Sequence, residues 1–274
     1  MKTWLITGAS SGLGLEMTRV LLARGDRVVA CARRVAPLAE LQTRHGDRLR
    51  VAQFDLTDTA ALRREVDAAF AAFARIDVVV SNAGYGLFGA AEEVSDAQIE
   101  RQLSTNLTAS IQLVRAVLPH LRAQGGGRLL QVSSEGGQVA YPNFSLYHAS
   151  KWGIEGFLEA VAQEVAPFGI EVLIAEPGPT ETGFGTGLDQ APPTAVYDHT
   201  PAGQVRRGIA DGSFAIKGDA VRTAAAMIQA ADADTMPRRL ALGSTAFDNI
   251  QRVLQARLEE LQSQRAVAYA ADKV

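Results

Sequence analysis

Thr7-Gly8-Ala9-Ser10-Ser11-Gly12-Leu13-Gly14 is the stretch on which the reading of this chain turns. The apolar run Trp4-Leu5-Ile6 precedes it, and a helical pattern from about Gly14 to Ala23 follows. Glycines between a strand and a helix allow a tight turn and let backbone approach a pyrophosphate. The free N–H groups and dipole of the helix then stabilise the anion. A glycine-rich loop alone is weak evidence, since turn glycines are common. The strand before it and the helix after it are the context that a nucleotide loop demands.

The same alternation runs outward along the chain. Strands are expected at Arg27–Ala32, Arg50–Phe54, Asp77–Val80, Arg128–Ser133 and Glu171–Ala175. Between them, Leu62, Val66, Ala69, Phe70 and Phe73 mark a helix over 59–74. Further helices are expected over 96–121, with Pro119 and Gly125-Gly126-Gly127 marking the end, and over 150–166. This pattern predicts the α/β class: a single-domain Rossmann fold over residues 1–274, a doubly wound parallel sheet with helices on both faces. Residues 178–218 crowd together Gly183, Gly185, Gly187, Pro192, Pro193 and Pro201. They read as a long mobile insertion, with a substrate lid at about 183–217. Helices over 220–230 and 247–262 return beyond it, and Met236–Gly243 reads as the last strand.

Composition narrows the possible functions. The chain has 274 residues, 47% hydrophobic and 21% charged, with 27 basic against 30 acidic side chains and a net charge of −3. This is an ordinary globular balance without a basic stripe, so nucleic acid is not an expected partner. Cys31, the single cysteine, lies in Val28-Val29-Ala30-Cys31 and reads as a buried strand thiol. No metal site is expected. The short apolar start and the lack of about 20 consecutive apolar residues predict a cytoplasmic protein with no membrane span.

The glycines are spaced G-x-x-x-G-x-G, which resembles the signature of the one-domain branch of the short-chain dehydrogenase/reductase family. The resemblance implies cofactor contacts at Thr7, Gly8, Ser10, Ser11, Gly12, Leu13 and Gly14. Asp55 and Leu56 resemble the family's adenine-contacting segment. Asn82-Ala83-Gly84 resembles its Asn-Ala-Gly motif, and Pro177, Gly178 and Thr182 resemble the segment beside the nicotinamide. Charge speaks to which cofactor. A carboxylate at the end of the second strand would grip a free ribose diol and repel a 2′-phosphate. This chain has Ala32 there, followed by Arg33 and Arg34, and guanidinium pairs well with phosphate. NADP(H) is therefore expected over NAD(H), with Arg33 the first choice and Arg34 the second.

Tyr147-His148-Ala149-Ser150-Lys151 places Tyr and Lys four apart at a helix start, on one face. A phenol with a free pKa near ~10 is a poor base at neutral pH, and a nearby ammonium should bring it closer to the working range. By resemblance, Ser134, thirteen residues before Tyr147, meets the substrate oxygen, with Ser133 its neighbour and competitor. Asn106 matches the member that holds a water in a relay to Lys151. The four residues together imply hydride transfer between nicotinamide and a carbonyl or secondary alcohol, with Tyr147 as general acid/base. The alternative is a catalytically silent protein that senses NADP(H). In the lid, Phe184, Leu188, Val196, Tyr197 and Phe214 either line an apolar pocket or only dock the lid. Glu135 and Gln138 either reach the pocket or are solvated. A homodimer or homotetramer is expected from the resemblance.

Overall fold

A computed structural model describes residues 1–213 and 215–273. Among them, strands β1 (Thr3–Thr7), β2 (Arg27–Ala32), β3 (Leu49–Gln53), β4 (Val78–Ser81), β5 (Gly127–Val132), β6 (Ile170–Pro177) and β7 (Arg239–Leu242) form one parallel sheet. The spatial order is β7-β6-β5-β4-β1-β2-β3. The chain winds outward from β1 to β3, returns to β4 beside β1, and winds the other way. The crevice therefore opens at the carboxyl ends of β1 and β4, where the order reverses.

Helices α1 (Gly12–Arg24), α2 (Ala39–His45), α3 (Thr59–Ala72), α4 (Asp96–Leu103) and α5 (Ala109–Ala123) occupy the first half. They are followed by α6 (Ser145–Val165), α7 (Pro201–Ala210), α8 (Ala220–Asp232), α9 (Ser244–Ser263) and α10 (Arg265–Ala270). Side chains alternate across the strands and meet a helix layer on each face. Trp4, Ile6, Val28 and Ala30 pack with Met17 and Leu21 of α1 and Met227 of α8. Leu5, Val29 and Cys31 pack on the other face with Leu62 of α3, Leu113 of α5 and Ile154 of α6. Cys31 is buried as expected, and burial pushes its thiol up to about 12, far from reactive thiolate.

Several boundaries differ from the sequence reading. The expected helix 96–121 is broken by a widened π turn at Ser104–Thr108 and runs on to Ala123. Pro119 lies inside α5 rather than ending it. Proline forfeits one hydrogen bond, but Leu113, Val117 and Leu121 hold that face in the core. Helix α6 starts at Ser145, not Ser150, because Asn143 turns the chain at φ 68° and the His148 N–H already bonds the Phe144 carbonyl. Helices α2 and α10 bury no residue, so they carry no apolar periodicity to read.

The 178–218 segment is more structured than the crowding of glycine and proline suggests. Thr180–Glu181 pairs with Gly218–Asp219, Asp189–Gln190 pairs with Leu87–Phe88, and α7 lies between. Thr200 caps α7 by accepting from the Ala202 N–H, and Pro201 is its first residue, a start signal present in the sequence. Phe214 lies outside the described residues. No helix among the described residues is long and apolar enough to cross a membrane.

Candidate active site

The glycine loop closes over the ends of β1 and β4. Gly8 has φ 66° and Gly12 φ 51°, conformations that side chains resist. A Cβ on Gly8 would come 2.9 Å from the Ala83 Cα, and one on Gly14 would come 2.5 Å from the Gly8 carbonyl oxygen. Thr7 is buried: its hydroxyl donates to the Val80 carbonyl and accepts from the Asn82 and Ala83 N–H groups. The Asn82 amide donates to the Thr7 carbonyl at 2.9 Å. These two residues thus hold the loop in shape with the polar atoms that the resemblance assigned to the cofactor region. Ser11, at the N-cap of α1, makes no side-chain capping bond, and the first turn holds no acidic residue. Open N–H donors beside a cradle without Cβ atoms fit a pyrophosphate. Thr182 packs 3.7 Å from where a Gly12 Cβ would lie, so the loop after β6 borders the same cradle.

Arg33 and Arg34 are exposed just beyond β2. The Arg33 guanidinium lies 3.7 Å from Asp55, so two residues read separately as cofactor contacts face each other. Burial works against the Asp55 charge, but hydrogen bonds from Thr57 and the nearby Arg33 outweigh it and lower the pKa. Leu56 is half-buried beside it. An exposed arginine pair with no carboxylate on β2 suits a 2′-phosphate better than a bare diol.

Tyr147 and Lys151 sit on the inward face of α6, both buried. The Lys151 ammonium lies 5.6 Å from the centre of the Tyr147 ring and donates to the Val132 carbonyl at 3.0 Å. Ser134 follows β5, its hydroxyl accepting from the Gly136 N–H at 3.0 Å and lying near enough to Tyr147 to favour its phenolate. The electrostatics depart from expectation. Burial pushes Tyr147 up to about 12, against the Ser134 hydrogen bond, with Glu135 and Glu155 adding to the rise. Burial likewise pulls Lys151 down to about 8, against Glu155. The expected lowering of the phenol by Lys151 is absent, because removal from water disfavours both charged forms.

Asn106 sits in the π turn, where its side chain accepts from the Tyr85 N–H at 3.1 Å and donates to the Tyr85 carbonyl at 2.8 Å. It makes no direct bond to Lys151; its amide reaches Ser150 Oγ at 3.5 Å. His148, unassigned in the sequence, has both nitrogens engaged. Nε2 accepts from the Tyr141 N–H and Nδ1 donates to the Gly136 carbonyl, so the ring is neutral and braces the turn after Ser134.

The surroundings of Tyr147 are aromatic. Phe184 meets its ring edge-on at 5.5 Å, Phe144 at 6.2 Å, and Phe88 packs on Phe144 at 5.1 Å. Phe88 and Phe144 were not legible as site residues. Phe184 and Leu188 also crowd the space where a Gly86 side chain would be, so both dock their segment, and Phe184 lies against Tyr147 as well. Val196 is exposed and Tyr197 half-buried. Glu135 is buried rather than solvated: it accepts from Asn249, which also bonds the Tyr141 hydroxyl. Gln138 donates to Glu176 at 2.7 Å.

The 178–218 segment is pinned through Glu93. This carboxylate accepts from the Ala90 N–H, the Thr194 N–H and hydroxyl, and Arg206. Burial opposes its charge, but these bonds prevail and hold its pKa at about 2. A depressed acid stabilises the fold above its free value and loses that contribution as pH falls. The contribution should be intact above about pH 4.5 and vanish on acidification through about 2. Glu93→Gln should weaken charge-assisted bonds of about 1.5–3 kcal/mol each. Limited proteolysis at Arg206, Arg207 and Lys217 at pH 7 should then accelerate, and an unchanged rate would show that Glu93 does not anchor the segment.

Comparison with known proteins agrees with this fold. A family model described as short chain dehydrogenase matches residues 2–192. An oxidoreductase from Botryotinia fuckeliana is 39% identical over 192 residues, 70% of each chain. A short-chain dehydrogenase structure from Streptomyces avermitilis is 35% identical, with TM-score 0.91, covering 99% of this chain and 100% of its own. A 3-ketoacyl-(acyl-carrier-protein) reductase from Brucella melitensis, complexed with NADH, is 26% identical with TM-score 0.72, covering 88% and 96%. The glycine cradle at the sheet crevice, the matched family model and the shared architecture lead to one conclusion: the chain belongs to the short-chain dehydrogenase family of oxidoreductases.

Proposed function

We propose that this chain is an NADP(H)-dependent oxidoreductase that reduces apolar carbonyl compounds, with Tyr147 as its proton donor. The observation that carries the reading is the meeting of Ser134, Tyr147 and Lys151 beside the glycine cradle, under an aromatic wall. When bound, the reduced nicotinamide supplies the hydride. The chain's residues do the rest. Ser134, whose oxygen accepts from Gly136, would turn its proton from Tyr147 to the carbonyl oxygen and polarise it. Tyr147, held protonated by burial, donates to that oxygen as it becomes an alkoxide. Proton donation suits reduction; the phenolate that oxidation needs is disfavoured by the same burial.

Lys151 grips the ribose and faces the phenol, and Asn106 carries the proton path through a held water. Phe88, Phe144 and Phe184 favour an apolar substrate, and residues 183–217 act as its lid. Cofactor contacts are assigned to Gly8, Ser10, Ser11, Gly12, Leu13 and Gly14, with Asp55, Leu56, Ala83, Gly84, Pro177, Gly178 and Thr182 around them. Arg33, with Arg34 second, takes the 2′-phosphate. Arg33→Ala should weaken NADPH binding by roughly tenfold or more and NADH binding far less, since a charge-assisted bond is at stake. Equal losses in titrations of the two nucleotides would refute that assignment. The overall test is a scan of apolar ketones and aldehydes with NADPH, comparing the parent with Tyr147→Phe. No turnover by the parent would favour the silent sensor over the enzyme.

A further inference from the structure

Beneath the reacting groups lies a buried ion network. On α6, Tyr147, Lys151, Glu155 and Glu159 recur every four residues and share a face. Glu155 is 2% exposed and Glu176 1% exposed. One guanidinium nitrogen of Arg239 reaches both, Glu155 at 2.6 Å and Glu176 at 2.5 Å, while its Nε donates to the partly exposed Glu159 at 2.8 Å. The Ser133 hydroxyl donates to Glu155, and Gln138 donates to Glu176. Strands β5, β6 and β7 and helix α6 therefore converge on two buried carboxylates.

The charges of this cluster do not balance on their own. Glu155, Glu176 and Glu159 share the one guanidinium of Arg239, and burial together with Glu155 pushes the Glu176 carboxyl up, the mark of an acid excess. The remaining buried cation nearby is Lys151, one helical turn from Glu155. An unbalanced buried charge is costly, so a buried cation one helical turn away would offset the excess. We propose that Glu155, held by Ser133 and Arg239, is the internal counter-charge that keeps Lys151 cationic, making it a positioning residue for the proton-transfer site. The Lys151 titration, drawn down by burial and supported by Glu155, accords with this geometry. The titratable and charged groups around Lys151 are Tyr147, Glu155 and Glu159 on its own helix, the neutral His148, Glu135 after β5, Glu176 on β6 and Arg239 on β7. Glu135 bonds away toward Asn249, and Glu159 is partly solvated, which leaves Glu155, shared with Arg239, as the buried anion one helical turn from Lys151.

The inference deepens the proposed role of Lys151 and rests on it for its catalytic meaning, but its test needs no turnover. The chain has four lysines, so the Nζ resonance of Lys151 in 15N-lysine-labelled, nucleotide-free protein can be assigned by its loss in Lys151→Arg. Glu155→Gln should lower its titration midpoint by about one pH unit, and Arg239→Gln should raise it. The high-pH loss of NADPH-dependent reduction should move with the same signs. If Glu155→Gln does not fold, Glu176→Gln removes a charge from the same network and should shift the midpoint downward by less. Opposite shifts support the counter-charge. Unmoved midpoints, or shifts of the same sign in the Glu and Arg variants, would overturn it even if the enzyme is active. Normal shifts in a protein without reductase activity would instead overturn the proposed function and leave the counter-charge standing.

Discussion

Tyr147→Phe is expected to cut NADPH-dependent carbonyl reduction by about 10²–10⁴-fold, the range over which a positioned acid contributes. The change removes one oxygen and keeps the ring, which packs against Phe144, His148 and Phe184. The ring packing stays in place and the loss is at most one hydroxyl contact of about 1 kcal/mol, so the variant should fold and melt near the parent. Nucleotide affinity, followed by NADPH fluorescence, should change little because the glycine loop and Lys151 are untouched. The loss should therefore fall on kcat rather than on cofactor binding. Reduction should also hold steady at neutral pH and decline through about 8, where Lys151 loses its proton, not near the higher value of Tyr147. Parent-like turnover by the Phe variant would sink the assignment of the proton donor.

The largest stability effect is expected from Gly137→Ala. A Cβ at this position would overlap the Glu155 carboxylate, which already bonds Ser133 and Arg239. Gly137 is buried in the turn after Ser134, and its N–H bonds the Ser134 carbonyl, so the backbone has little room to yield. Glu155 would have to leave its partners, and breaking a buried ion pair costs about 3–5 kcal/mol. For a chain of this size that corresponds to a fall in Tm of roughly 10 °C. Thermal unfolding followed by circular dichroism reads it directly, and a Tm within a degree or two of the parent would show that the turn adapts.

Both substitutions touch the same site, yet only one was visible in the sequence. Tyr147 stood out because Lys151 follows at helical spacing and Ser134 precedes it in a family-like order. Gly137 reads there as one of two turn glycines in Glu135-Gly136-Gly137, with nothing to announce a carboxylate eighteen positions on. The aromatic wall was hidden for the same reason. Phe184 was legible as lid or pocket, but Phe88 and Phe144 come from a short strand and a turn that meet through tertiary folding. Helix α7 escaped notice amid glycines and prolines, although Thr200-Pro201 carried its start signal.

Residue order by itself determined the stretch Thr7–Gly14 as a glycine loop between strand and helix, the alternating α/β pattern around it, and the spacing of Tyr147 and Lys151 on one helix face. Those features depend on local periodicity, turn chemistry and fixed spacing, which a linear chain carries in full. Only the tertiary structure decided that Thr7 and Asn82 hold that loop with their own polar atoms and that Arg33 faces Asp55. It likewise decided that burial raises the Tyr147 pKa instead of lowering it. Each of these depends on desolvation or on partners far apart in sequence. Burial and long-range pairing are properties of the packed molecule, so no local reading of the chain contains them.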